Sequence, residues 1–268
     1  MKSFEGRVAV VTGGGSGIGR ALALALASER ARLVVADVDA QAAETVAASI
    51  RSAGGDAVAV PADVSELKHV QALADRAYAA FGAVHVLCNN AGVAPHGPLQ
   101  SATHQDWQWA LGVNLWGVIH GIEAFLPRMI AARQPGHVVN TASMAGLVAT
   151  AGLGVYNTSK YAVVGLSETL AKDLRPHDIG VTVLCPMGVT TRIRESERNR
   201  PAHLRNTEAP AAQPVELMGG SLPPERVAAM TLAAVRANQL YVITHDDGLE
   251  PLRRRFERME RSMLDRPS

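Results

Sequence analysis

The sequence predicts a doubly wound α/β fold, one domain built on a seven-stranded parallel sheet. Three observations predict it. Short runs that are apolar at every position alternate with longer segments of helical periodicity. Strands of that kind belong to a parallel sheet covered by helices on both faces. A glycine-rich turn separates the first apolar run from the first helical segment. The length, 268 residues, suits one such sheet, because a single core grows to roughly 250–300 residues before a chain divides.

The elements follow in order. Val8-Ala9-Val10-Val11 is the first strand, and the helix after the glycine turn covers 21–29. Leu33-Val34-Val35-Ala36 is the second strand, followed by a helix over 40–53. Ala57-Val58-Ala59-Val60 is the third, with a helix over 67–80, and Val84-His85-Val86-Leu87-Cys88 is the fourth. A long helical stretch covers 105–132, with a break expected near Asn114. His137-Val138-Val139-Asn140 is the fifth strand, 155–174 the next helix, and Val181-Thr182-Val183-Leu184 the sixth strand. Pro223-Pro224 introduces a helix over 226–237, since proline suits a helix's first turn. Leu240-Tyr241-Val242-Ile243-Thr244 is the seventh strand. Strand and helix in this alternation make a Rossmann-type sheet. Residues 190–222 lack clear periodicity and are too long for a plain connector, so they read as a substrate loop that is mobile without ligand. In the tail, 248–264, Leu252, Phe256, Met259 and Met263 stand at helical spacing between arginines. That is an amphipathic helix docking on its own body or on a neighbouring subunit.

Composition excludes several classes. A net charge of +1 gives no electrostatic case for nucleic acid or an anionic membrane. There is no run of 18 or more uninterrupted apolar residues and no signal-peptide core at the start, so a soluble cytoplasmic protein is expected. Cys88 and Cys185 each end a short apolar run and read as buried free thiols, with no metal site expected.

Thr12-Gly13-Gly14-Gly15-Ser16-Gly17-Ile18-Gly19 lies between the first strand and the first helix. Glycines there permit a tight turn and a close approach of backbone to a pyrophosphate. The helix N-terminus supplies free N–H groups and a favourable dipole. Asp37 ends the second strand, where a carboxylate accepts hydrogen bonds from ribose hydroxyls and repels an added phosphate. Val38 and Asp39 follow, with no basic residue beside them. The cofactor expected is NAD rather than NADP. A plain helix cap is the alternative role for Asp37, and Asp39 is placed to serve it instead.

Tyr156 and Lys160 stand four apart on a helix and so share a face. A lysine cation one turn away favours the phenolate and lowers the tyrosine pKa from its ordinary value near 10. Ser143 ends the fifth strand, and ligands of doubly wound folds bind at the carboxyl ends of strands.

With these motifs in place, the sequence resembles the short-chain dehydrogenase/reductase family over about residues 5–245. The resemblance rests on Thr12-Gly13 through Gly17-Ile18-Gly19, Asp63-Val64, Asn89-Asn90-Ala91-Gly92, Asn114, Ser143, Tyr156 with Lys160, and Pro186 through Thr191. It implies that Tyr156 is the general acid or base and that Lys160 holds the nicotinamide ribose. It implies that Ser143 hydrogen-bonds the substrate oxygen and that Asn114 anchors a water in a proton relay. It places Ile18 on the pyrophosphate turn with Gly13, Ser16, Gly17 and Gly19, and Asp63 and Val64 against adenine. Asn90, Ala91 and Gly92 would support the sheet and the cofactor ribose; Pro186, Val189 and Thr191 would meet the nicotinamide end. Two departures stand out: Pro186-Met187-Gly188 where the family often has Pro-Gly, and Ala142-Ser143 where it has paired serines.

The family's substrate pocket is walled by the segment after Gly92 (Val93-Ala94-Pro95-His96), by the segment 144–154, and by the loop 190–222. The first two are mostly small or apolar here, with His96 the polar exception, read as a surface or structural histidine with a pocket-facing side chain as the alternative. An apolar pocket suits a hydrophobic secondary alcohol or ketone. Pro127-Arg128-Met129-Ile130 through Gly136-His137, together with the tail 241–259, resembles a bacterial subgroup that includes dehydrogenases of bulky aryl-substituted alcohols and bulky-ketone alcohol dehydrogenases; steroid and polyol substrates stay open. Two rivals are weighed: a non-redox enzyme on the same fold, such as an epimerase or dehydratase, and a non-catalytic dinucleotide-binding protein. The set Asn114, Ser143, Tyr156 and Lys160 argues for hydride transfer. The resemblance and the apolar stretches 105–132 and 155–174 imply a homotetramer with a small-molecule substrate.

Overall fold

The protein is described by a computed structural model covering residues 1–206 and 220–265. Seven parallel strands form one sheet: β1 (Val8–Thr12), β2 (Arg32–Asp37), β3 (Ala57–Pro61), β4 (Val86–Asn89), β5 (Gly136–Thr141), β6 (Ile179–Cys185) and β7 (Tyr241–Ile243). Their spatial order is β3-β2-β1-β4-β5-β6-β7. The order reverses between β1 and β4, and that switch point opens a crevice at the carboxyl ends of the strands.

Helices α1 (Gly17–Ser28), α2 (Ala40–Ser52) and α7 (Pro224–Ala237) cover one face, and α3 (Leu67–Phe81) and α5 (Gly117–Ala131) cover the other. Strand alternation sorts the core between them. On β1, Ala9 and Val11 belong to one core with Leu22, Leu26 and Ile50, whereas Val8 and Val10 belong to the other with Leu73, Phe125 and Met129. Each such side chain, fully withdrawn from water, contributes about 1.5–3 kcal/mol. The uniformly apolar strands are thereby explained: both faces are inside.

The expected break near Asn114 is instead a change of winding. One helical span runs His104–Ala131, comprising α4 (His104–Leu111), a π-helical turn Gly112–Trp116, and α5. The Gly117 N–H closes an i→i+5 bond to the Gly112 carbonyl, so the helix stays hydrogen-bonded while accommodating one extra residue. Thr103 and Asp106 cap its start reciprocally. By length and composition the span would cross a bilayer, yet it packs against α3, β4 and α6 (Gly154–Asp173) as a core helix.

The loop after β6 is closed at its base by Thr190 N–H to Leu222 O (2.9 Å) and Leu222 N–H to Gly188 O (3.0 Å). Its first part forms two tight turns, Ile193–Asn199 and Ala202–Leu204. The mobility expected for this loop falls in part on 207–219, outside the described residues. The tail forms α8 (Leu249–Leu264), which buries no residue of its own; Phe256, Met259 and Met263 are exposed, and Arg255 lies over the Tyr161 ring. Cys88 and Cys185 are free and buried, and burial pushes both thiols up to about 12.

Candidate active site

The glycine turn is built for close approach. Gly13 has φ +62°, and a Cβ on it would sit 2.9 Å from Ala91 Cα. A Cβ on Gly19 would lie 2.1 Å from the Gly13 carbonyl oxygen and 2.5 Å from Asn90 Nδ2. Gly19 therefore packs the start of α1 onto the strand ends from behind. Ser16 is the N-cap residue of α1, but its side chain makes no capping bond, and the first turn holds no acidic residue. The first-turn amides at Gly17, Ile18 and Gly19 are left to meet an anion, and their dipole favours one. Thr191 closes over this turn, within 3.0 Å of where a Cβ on Gly17 would stand.

Asp37 reaches the turn from β2. Its carboxylate accepts from Gly15 N–H (2.9 Å) and Asp39 N–H (3.0 Å), which fix its orientation at the crevice. Asp39 is the cap of α2, accepting from Ala42 N–H, so Asp37 is not needed for that task. Asp63 Oδ1 accepts from the Ser65 N–H and hydroxyl, which sets the bend after β3. Val64 is buried against Gly117, and its carbonyl pairs with His120 Nδ1. Asn90 ties three strands: its amide donates to Thr12 O (2.9 Å), its backbone N–H to Thr12 Oγ1, and its Oδ1 accepts from Thr141 Oγ1.

Ser143 follows β5 and opens a turn, Met144–Gly146; its Oγ accepts from Ala145 N–H and donates to Pro186 O at 3.3 Å. Tyr156 and Lys160 lie on the face of α6 turned toward it. Burial raises the Tyr156 phenol above its ordinary value, and a hydrogen bond with Ser143 partly offsets this. Lys160 Nζ donates to Thr141 O (2.8 Å) and stands 5.7 Å from the Tyr156 ring centre. Burial lowers its ammonium to about 8. In the chain alone, then, the expected depression of the tyrosine is overturned. Desolvation disfavours the charged form of both groups and is the largest cause at each.

Asn114 is fully buried within the π turn. Its Oδ1 accepts from Val93 N–H (2.8 Å) and its amide donates to Val93 O and Ser159 Oγ. The side chain thus braces the segment after Gly92 against α6. A Cβ on Gly92 would stand 3.4 Å from Asn114 Oδ1 and 3.5 Å from Lys160 Nζ, so both groups flank the same space.

One cavity of about 1030 Å³ gathers this set. Gly13, Ser16, Gly17, Ile18, Asp37, Asp63, Val64, Asn90, Ala91, Gly92, Ser143, Tyr156, Lys160, Pro186, Val189 and Thr191 all line it, while Gly19 and Asn114 support it from outside. His96, read as a surface or structural histidine, instead lines the cavity; burial, then Arg194, lower its pKa. Missed in the sequence was the wall from α4, with Gln105, Gln108 and Trp109. The capping box Thr103–Asp106 was its available signal, since it marks where that helix starts. Met187, the extra residue after Pro186, lines the cavity and points at Gly248 before α8.

The family model described as short chain dehydrogenase matches residues 7–202. This chain belongs to the short-chain dehydrogenase/reductase family. It is 36% identical over 264 residues to the C alpha-dehydrogenase of Sphingobium sp. strain SYK-6, covering 96% of this chain and 86% of that protein. A short-chain dehydrogenase/reductase from Burkholderia phymatum, solved in complex with NAD, is similar with a TM-score of 0.91 and 42% identity, covering 100% of this chain and 98% of that one. A metagenomic short-chain oxidoreductase in complex with NADP has a TM-score of 0.71 and 32% identity, covering 89% and 95%. As a short-chain dehydrogenase/reductase, the chain is an oxidoreductase whose fold binds a nicotinamide dinucleotide. The glycine turn and uncapped α1 terminus fit the pyrophosphate of that group.

Proposed function

We propose that this short-chain dehydrogenase/reductase interconverts a bulky, aryl-bearing secondary alcohol and its ketone, with NAD as the preferred cofactor. The observation that carries the reading is the placement of Ser143, Tyr156 and Lys160 in the same cavity as Asp37 and the α1 terminus. NAD, when bound, supplies the hydride acceptor and, in oxidised form, a positive ring charge. As the phenolate, Tyr156 Oη receives the proton of the substrate hydroxyl, and Ser143 Oγ donates a hydrogen bond that holds the substrate oxygen. Lys160, charged below about pH 8, opposes the burial that keeps Tyr156 protonated. Asn114 holds the Gly92–Val93 backbone and α6 at fixed spacing, so that a water beside Lys160 has a defined place.

Asp37 supports NAD over NADP: its fixed carboxylate accepts from ribose hydroxyls and repels a phosphate. Neighbours solved with each cofactor show that the fold admits both, so the preference rests on this residue. The aryl substrate is supported by the subgroup resemblance of residues 127–137 and 241–259 and by the apolar wall of Val93, Ala94, Val148, Leu153 and Trp109. We place the enzyme in the cytoplasm as a homotetramer without nucleic-acid or membrane partners; light scattering at the mass of one 28.3 kDa chain would refute the tetramer. The primary test is NADH absorbance over a panel of secondary alcohols, from small aliphatic to bulky aryl, with NAD or NADP as oxidant. NAD-dependent turnover rising toward the aryl members supports the reading. Turnover of none, in either direction, refutes it.

A further inference from the structure

Among the described residues of the loop after β6, Arg200 is the one buried cation, at 3% exposure. Its guanidinium meets Asp106 Oδ1 on α4 at 2.7 Å. Its Nε donates to Leu204 O at 2.6 Å, and its Nη1 meets Glu197 at 3.2 Å. Asn206 completes the tie: its amide donates to Asp106 Oδ1 (2.9 Å), and its Oδ1 accepts from Thr103 Oγ1 (2.8 Å). A second anchor lies upstream, where Ala94 N–H donates to the buried Ser196 Oγ at 3.0 Å. The first part of the loop, 193–206, is thus bound to α4 and to the segment after Gly92.

The guanidinium also lies over the Trp109 ring, 4.9 Å from its centre. A planar cation against an indole is attracted by the ring's electron density and limits how the ring can turn. Trp109 is 2% exposed yet lines the cavity, as do Gln105 and Gln108 of α4 and His203 and Leu204 of the loop. Arg200 itself stands behind this wall. One buried guanidinium therefore holds both halves of it, the indole on α4 and the tight turns of the loop.

We propose that Arg200 is a positioning residue for the substrate end of the cavity, setting the α4 wall at the buried Trp109 by clamping the loop to Asp106. This assignment rests on the aryl secondary-alcohol reading above. It makes Arg200 a residue that acts on KM through Trp109 and the loop, without touching the reacting atoms.

The test compares wild type, Arg200→Met, Arg200→Lys and Trp109→Leu. Kinetics are taken on a naphthyl ethanol, NAD affinity by titration, and backbone hydrogen exchange over 193–206 without substrate. Unchanged NAD affinity shows that each variant has folded. In Arg200→Met, KM is expected to rise about tenfold with kcat within about threefold, the effect of a displaced positioning contact, and exchange over 193–206 to accelerate. Trp109→Leu should reproduce the KM effect while leaving that exchange slow. Arg200→Lys keeps the charge but loses the fork and the stacking, and should recover part of both. A fall in kcat with unchanged KM, or a Trp109→Leu enzyme with wild-type KM, overturns the positioning role. Wild-type exchange over 193–206 in Arg200→Met overturns the clamp. A wild type that oxidises no alcohol removes the alcohol reading by itself, and the Arg200 clamp is then decided by exchange alone.

Discussion

Replacing Lys160 with methionine should make the protein more stable while removing its activity. Lys160 is 3% exposed, and burial lowers its ammonium from 10.5 to about 8. Each pKa unit corresponds to about 1.4 kcal/mol, so folding around the charged lysine costs about 3 kcal/mol at neutral pH. Methionine has similar length and shape and removes that cost with little repacking. Losing the bond to Thr141 O returns roughly 1 kcal/mol, which leaves the variant about 2 kcal/mol more stable. The pH dependence identifies the cause. The folded value lies below the unfolded one, so the cost is complete below about pH 8 and disappears as pH rises through 10.5. Urea unfolding without cofactor, at one protein concentration, should give Lys160→Met the higher midpoint at pH 7 and no advantage near pH 10.5. Saturating NAD should reverse the pH 7 order, because only the wild type keeps its full cofactor site. A variant less stable at pH 7, or a difference that does not change with pH, would refute this account of the site as one that carries a desolvated charge for function.

Tyr156→Phe should lower kcat by about 10²–10⁴-fold, the range for loss of a general acid–base group, while titrated NAD affinity stays at the wild-type level. Asp37→Asn should raise the KM for NAD about tenfold or more through loss of a charge-assisted acceptor and narrow the gap to NADP; an unchanged ratio would show that Asp37 does not read the ribose. Gly19→Ala drives a methyl to 2.1 Å from the Gly13 carbonyl, and both the melting temperature and NAD affinity should fall, since the Gly13 backbone and the hydrogen-bonded Asn90 amide leave no room to yield. His137 is fully buried, and burial lowers its imidazole to about 3. It stays neutral in the fold, so its contribution to stability is complete above about pH 6.5 and is lost as pH falls from there toward about 3. His137→Asn should unfold with a shallower dependence on pH across that window.

The sheet, its parallel sense and the crevice at the glycine turn were legible in the sequence because their signals are local. An apolar run reports that both faces of a strand are covered, and a glycine reports a backbone that cannot carry a Cβ. Asp37, Ser143, Tyr156 and Lys160 were legible because each sits at a strand end or on one helix face, where spacing alone fixes direction. Three things were decided only in three dimensions. The winding at Asn114 passes for a helix break, because periodicity cannot tell a π turn from an interruption. The protonation balance of Tyr156 and Lys160 depends on how deeply the fold buries both, which four residues of spacing do not report. The wall of Trp109 and Arg200 joins residues about ninety positions apart through Asp106. No local pattern encodes such a pair, because chain folding brings it together and burial gives it strength.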